Sequence, residues 1–153
     1  MKNFKHIFFV VALSMFFNYQ HLFAQSQTQF EEINSIWNSF IASWEKLDAS
    51  ACASFYWEDA VNVPPQLPEN SGKYAIEAFY KDLFSQHQSS KYIHKTHDLV
   101  TYDDHLIETG EFVVDWLTID GNQWQYKART MVYWKKNTEG FWKIKYLIFN
   151  EAP

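Results

Sequence analysis

From residue 92 to residue 150 the chain alternates apolar and polar side chains almost without a break, in segments separated only by short turns. A period of two is the mark of a strand. The segments fall at residues 92–102, 106–119, 123–136 and 141–150. Between them lie Asp103-Asp104, Asp120-Gly121 and Asn137 to Gly140, all with turn chemistry. The pattern predicts an antiparallel meander. One face of such a sheet must be covered, and the covering has to come from upstream.

Upstream, the period changes. Phe30, Ile33, Trp37, Phe40, Ile41, Trp44 and Leu47 recur at steps of three and four, which predicts an amphipathic helix of about four turns. Asp48 is placed to cap a second, short helix over residues 49–57. Residues 60–63 read as a short strand, ended by Pro64, Pro65 and Pro68, because proline cannot donate to a ladder. After a turn at Asn70-Ser71-Gly72, a third amphipathic helix carries Tyr74, Ile76, Phe79, Tyr80, Leu83 and Phe84, and residues 86–90 read as a polar linker. Three helices followed by a long sheet define an α+β domain.

The first 24 residues read differently. Lys2 and Lys5 precede an apolar run from Ile7 to Phe17, and Leu22-Phe23-Ala24 resembles a cleavage site, so residues 1–24 are expected to be a signal peptide. The run is shorter than the roughly 20 residues of a bilayer span. The domain is then residues 25–153, exported to a periplasmic or secreted location, with no membrane association after cleavage. Eleven basic against 18 acidic residues leave it about −7, which excludes the basic footprint of a nucleic-acid binder. Cys52 is the only cysteine, so no internal disulfide is possible, and its apolar neighbours suggest a buried structural thiol.

A two-residue turn at Asp120-Gly121 would set Asp115 opposite Tyr126 and Glu111 opposite Thr130. One face would then hold Glu111, Val113, Asp115, Leu117, Trp124, Tyr126, Thr130, Val132 and Trp134, the face expected to meet the helices. Phe112, Trp116 and Tyr133 would lie on the outer face as an aromatic patch, the expected interface of a homodimer. Trp142, Ile144, Tyr146 and Ile148 alternate with lysines that must face water. An aromatic interior of Trp37, Phe40, Trp44, Phe55, Val63, Tyr126, Thr130, Val132 and Tyr146 is expected to hold a small, largely apolar ligand. Asp115, Glu111 and His97 are the candidates for acid–base chemistry, with Tyr126 as the partner of Asp115, Thr130 as that of Glu111, and His94 as the alternative to His97. His94 and His97 are three apart, hence on opposite faces of a strand, and no metal site is expected from them. No motif for a cofactor is present, and none is expected.

Three segments resemble the nuclear transport factor 2-like superfamily, in particular its SnoaL-like, DUF4440-type branch. They are Trp44 to Asp48 with Phe55 to Ala60, then Ser71 to Tyr80 with its Gly-x-x-Ala-Ile-x-x-Phe pattern, and Gly140 to Ile144. The resemblance implies a cone: a strongly curved antiparallel sheet closed by three N-terminal helices, often dimeric through the outer sheet face. Ketosteroid isomerases, polyketide cyclases and dehydratases share this frame. The isomerase's Asp base falls on Val63 or Pro64, its Tyr on Phe40 and its second Asp near Val132, so that chemistry is absent. What remains is a binding domain, with a lyase or isomerase using a pocket carboxylate, or an interaction domain with a filled cone, as alternatives.

Overall fold

The computed structural model describes residues 27–102 and 104–152. The signal sequence expected at residues 1–24 lies outside them. The chain divides into two compact units, Met1–Ile33 and Asn34–Pro153. In the first, the described residues 27–33 are helical. The second holds everything discussed below. None of the described helices is long and apolar enough to cross a membrane.

Helix α1 covers residues 27–44, and from residue 34 on it buries Trp37, Phe40 and Trp44, one face at steps of three and four. It ends in a Schellman turn. Leu47 N–H reaches Trp44 C=O at 2.8 Å and Asp48 N–H reaches Ser43 C=O at 3.1 Å. Leu47 takes the left-handed position, φ 55°, that glycine usually fills. Asp48 then caps α2, Ala49–Ala53, by accepting the Ala51 N–H at 2.9 Å. Helix α3, Lys73–Ser85, buries Ile76, Tyr80 and Phe84.

The strands are β1 Tyr56–Val63, β2 Asn70–Ser71, β3 His87–Thr101, β4 His105–Thr118, β5 Gln123–Lys136 and β6 Trp142–Glu151. They form one sheet in the order β2-β1-β6-β5-β4-β3. The α+β class and the long meander match expectation. The sheet is mixed, however, not antiparallel throughout: β1 lies parallel to β6, with Val61 beside Tyr146 and Val63 beside Ile148. That pairing also lengthens β1 at the expense of α2, since Tyr56 is already opposite Ile144. The expected linker at residues 86–90 belongs largely to β3, where its polar side chains pair along β4.

The register of β4 against β5 corrects the expectation by one residue. The turn between them uses three residues, not two. Gly121 N–H donates to Thr118 C=O at 3.0 Å, Thr118 N–H to Asn122 C=O at 2.9 Å, and Gly121 sits at φ 82°. A type I turn followed by a left-handed glycine is the common three-residue hairpin. Asp115 therefore faces Gln125, and Glu111 faces Arg129. A slip of one residue moves every β4 side chain to the other face. Phe112, Val114 and Trp116 turn inward, at 6%, 1% and 4% exposure, so Phe112 and Trp116 are not part of an outer aromatic patch. Glu111 and Asp115 turn outward, where Asp115 accepts a hydrogen bond from Gln125 at 2.7 Å.

A second correction falls on β6. The ladder shifts between Tyr133 and Trp134, so Trp134 faces Ile144 but Tyr133 faces Tyr146. The bulge reverses the alternation. Trp142 and Ile144 are inside as expected, whereas Tyr146 and Ile148 are on the outer face, 41% and 46% exposed, and Leu147 is buried.

Gly110 on β4 is required by close approach. A Cβ there would stand 2.7 Å from the Lys95 carbonyl oxygen and 3.3 Å from Thr130 Oγ1. Gly110→Ala should therefore destabilise the domain by roughly 1–3 kcal/mol through forced backbone movement. Thermal unfolding of the variant checks this, and an unchanged midpoint would contradict it.

Candidate functional site

Two regions lie on the covered face of the sheet, and they differ in chemistry. The first is an aromatic cavity of about 250 Å³. Helix α1 supplies Phe40 and Trp44, and α3 supplies Phe79, Tyr80 and Leu83. The sheet supplies Tyr92, Phe112, Val114, Trp116, Trp124, Tyr126, Leu147 and Phe149, and the loop after β1 supplies Pro64, Pro65 and Leu67. Their rings meet at edges and tilts: Trp44 lies 4.9 Å from Tyr92 and 5.1 Å from Phe84, and Tyr92 stacks on Phe112 at 5.2 Å.

This lining holds no Asp, Glu, His, Lys or Arg. Its ionisable groups are tyrosines, and each is held protonated. Burial pushes Tyr80 well above its ordinary range, as do Tyr56 and Cys52 nearby, and Tyr80 shares a 2.6 Å hydrogen bond with Tyr56. Burial, then the neighbouring Tyr56 and Glu108, push Tyr92 up likewise. Tyr126 is raised by burial and by Glu151. The Cys52 thiol, fully buried, is pushed up to about 12 by burial and then by the Asp48 charge, which leaves it unreactive.

The second region is a single buried carboxylate. Glu108 is fully buried on β4, on the face that the expected register would have turned to water. Four side chains converge on it. Trp37 Nε1 of α1 donates at 3.1 and 2.9 Å to its two oxygens, and Trp134 Nε1 of β5 donates at 2.8 Å. From β3, His94 Nε2 donates at 2.8 Å and Thr96 Oγ1 at 2.6 Å. Trp37 also stacks on His94, with centroids 3.9 Å apart, and meets Trp134 edge-on at 5.4 Å. Burial alone would raise the Glu108 pKa. The His94, Thr96 and Trp37 contacts outweigh it and hold the carboxyl below its ordinary 4.5.

The sequence-derived residues sort between these regions and the outer face. Phe40, Trp44 and Tyr126 line the cavity. Trp37 lies at Glu108, while Thr130 and Val132 are buried on the same face of β5. Phe55 packs its ring 5.6 Å from Phe40, and Val63 immediately precedes the lining residue Pro64. Tyr146 is on the outer face. His97 occupies the bulge between Thr96 and Asp98 and reaches Glu111 at 3.3 Å, both about half exposed. Asp115 is exposed beside Gln125. Thus Glu111, Asp115 and His97 lie away from the cavity, and His94 and His97 do stand on opposite faces. Glu108 went unnoticed in the sequence, although it sits in the inward series Leu106, Glu108, Gly110, Phe112, Val114, Trp116.

No family model matches the sequence, and no curated protein matches it. Solved structures do match in fold. A nuclear transport factor 2-like superfamily protein from Salmonella enterica serovar Typhimurium superposes with a TM-score of 0.74 at 15% identity, covering 84% of this chain and 94% of that one. A hexachlorocyclohexane dehydrochlorinase gives 0.73 at 14% identity, covering 84% and 88%. A ketosteroid isomerase-like protein from Erwinia carotovora atroseptica gives 0.69 at 15% identity, covering 80% and 96%. The domain therefore has the nuclear transport factor 2-like fold.

Glu108 is an all-or-none centre. Glutamine in its place offers one acceptor oxygen to four donors and turns its own N–H₂ toward some of them. Glu108→Gln should cost about 3–5 kcal/mol at neutral pH, the range for breaking a buried charged network. The pH dependence has a definite sign. A carboxyl whose folded pKa lies below its unfolded value stabilises the fold above about pH 4.5, and that contribution is lost as pH falls through the lowered folded value. The stability gap between wild type and Glu108→Gln should shrink on acidification below pH 4.5. Denaturant melts across pH check this, and a constant or widening gap would contradict it.

Proposed function

We propose that this domain, exported by the signal that residues 1–24 resemble, binds a small, uncharged, largely apolar molecule in the aromatic cavity. The observation that carries this reading is the lining itself: thirteen of its side chains come from the helices and sheet, all aromatic or aliphatic, with no charge among them. Apolar walls with few polar groups are the usual makeup of a small-molecule site. A charged ligand would lose its hydration there and find no counter-ion, at a cost of many kcal/mol. The open volume favours a bound molecule over an interaction domain with a filled interior.

The fold's known neighbours include proteins named for a dehydrochlorinase and a ketosteroid isomerase-like activity. A lyase or isomerase reading of this chain would rest on His94 with Glu108, since His94 Nδ1 has no hydrogen-bond partner among the described residues. Both oxygens of Glu108 are already occupied, and neither residue lines the cavity. The binding reading is therefore the better supported.

The test is titration with N-phenyl-1-naphthylamine, an uncharged fluorophore that brightens in apolar surroundings. Saturable binding in the micromolar range is expected. Leu83→Asp, on the half-buried part of α3 that lines the cavity, should weaken it about tenfold or more. Circular dichroism confirms that the variant is folded. Absent binding, or binding indifferent to Leu83→Asp, would remove the cavity from this role.

A further inference from the structure

Two hydrogen-bond donors on the cavity wall have no acceptor. Trp44 and Tyr126 both belong to the lining. Trp44 is 7% exposed, and its Nε1–H has no hydrogen-bond partner among the described residues. The same holds for the Tyr126 hydroxyl. What surrounds these side chains is the cavity wall itself. Among the described residues the rings packed against Trp44 are those of Phe40, Tyr80, Phe84, Tyr92 and Trp116, and all but Phe84 line the cavity. Those packed against Tyr126 are Phe112 and Trp124, both in the lining.

Other indoles of the domain are met. Trp37 and Trp134 donate to Glu108, and Trp57 Nε1 donates to the Lys135 carbonyl at 3.1 Å. A buried donor without an acceptor costs the fold the whole desolvation of that group. The rings beside Trp44 are far weaker acceptors than oxygen. Phenylalanine in place of Tyr126 would present the same ring to the cavity without that cost. An indole N–H can only donate. Burial and Glu151 hold Tyr126 protonated, so its hydroxyl keeps a proton to give. The register sets the two donors apart. Tyr92, Val114 and Tyr126 stand in one row across β3, β4 and β5, so the backbones of Tyr92 and Tyr126 are about 10 Å apart. Trp44 packs on Tyr92, with ring centroids 4.9 Å apart. The donors therefore belong to opposite walls, with Val114 as the floor between them.

We infer that Trp44 Nε1–H and the Tyr126 hydroxyl are the hydrogen-bond donors of the ligand site, and that it takes an uncharged, largely apolar molecule with acceptor oxygens at both ends, such as an aromatic diketone. The inference rests on the binding reading above and narrows it: the aromatic walls supply affinity, and the two donors select carbonyl oxygens over plain hydrocarbon. Both are specificity residues in this scheme.

The experiment compares 2,6-diacetylnaphthalene with 2,6-diethylnaphthalene, each competing with N-phenyl-1-naphthylamine, on the wild-type protein and on Tyr126→Phe, which removes only the hydroxyl. The ratio of diketone to hydrocarbon affinity should fall about fivefold in the variant, the equivalent of one hydrogen bond. In ¹⁵N-labelled wild type the Trp44 indole proton should lie further downfield with the diketone bound than with the hydrocarbon bound, because a carbonyl acceptor deshields it. If neither naphthalene binds wild type, the cavity is not a ligand site and both proposals fall. If they bind, an unchanged affinity ratio in Tyr126→Phe, or a Trp44 indole proton at the same position in the two complexes, overturns the donor assignment and leaves the binding reading standing. A lower melting temperature for unliganded Tyr126→Phe also overturns it, because the hydroxyl would then have a partner within the fold.

Discussion

One carboxylate ties the layers of this domain together. Glu108 leaves β4 on the covered face and collects donors from β3, β5 and α1. Removing a carboxylate from water costs several kcal/mol even after the protein relaxes, so such a group persists only where its lone pairs are met. Here the two indole N–H groups matter most, because Trp37 and Trp134 can only donate and are themselves fully buried. Each needs the carboxylate as much as the carboxylate needs them. The helix is thus fixed to the sheet at one point in both position and rotation, since only one face of α1 carries Trp37, Phe40 and Trp44.

With that point fixed, polar and apolar chemistry separate along the covered face. Both oxygens of Glu108 are met, His94 and Thr96 among the donors, while His94 Nδ1 has no partner among the described residues. One step along the strands, Tyr92 pairs across from Val114 and His94 from Phe112, and the aromatic lining begins. The Tyr56–Tyr80 hydroxyl pair closes another polar pair beside the cavity without exposing an ionised group. The carboxylate and imidazole are therefore confined to the Glu108 side, and the cavity is left to shape and apolar area.

Much of the architecture was legible because it follows from periodicity. The step of three and four in Trp37, Phe40 and Trp44, the Asp48 cap, and the alternation after residue 92 each have a single physical reading. The helices, their order and the four long strands follow. What was not legible lay in details one residue wide. The dipeptide Asp120-Gly121 suits a two-residue turn, yet Ile119 joins it in a three-residue turn with glycine left-handed, and that single residue turned Glu111 and Asp115 outward. The bulge opposite Tyr133 did the same to Tyr146. Glu108 was hidden by this parity error, although Leu106, Phe112, Val114 and Trp116 made its face of β4 the more apolar one. The parallel pairing of β1 with β6 joins segments about 85 residues apart and leaves no local trace in sequence.

The central claim is a division of labour: the Glu108 network holds the fold, and the aromatic cavity receives the ligand. The tryptophan indole N–H resonances report on both at once, since Trp37 and Trp134 serve the network while Trp44, Trp116 and Trp124 line the cavity. Titration of ¹⁵N-labelled protein with N-phenyl-1-naphthylamine should shift the signals of Trp44, Trp116 and Trp124. Those of Trp37 and Trp134 should stay in place and exchange slowly with solvent throughout. Movement of the Trp37 and Trp134 signals with the cavity tryptophans unmoved would contradict the account.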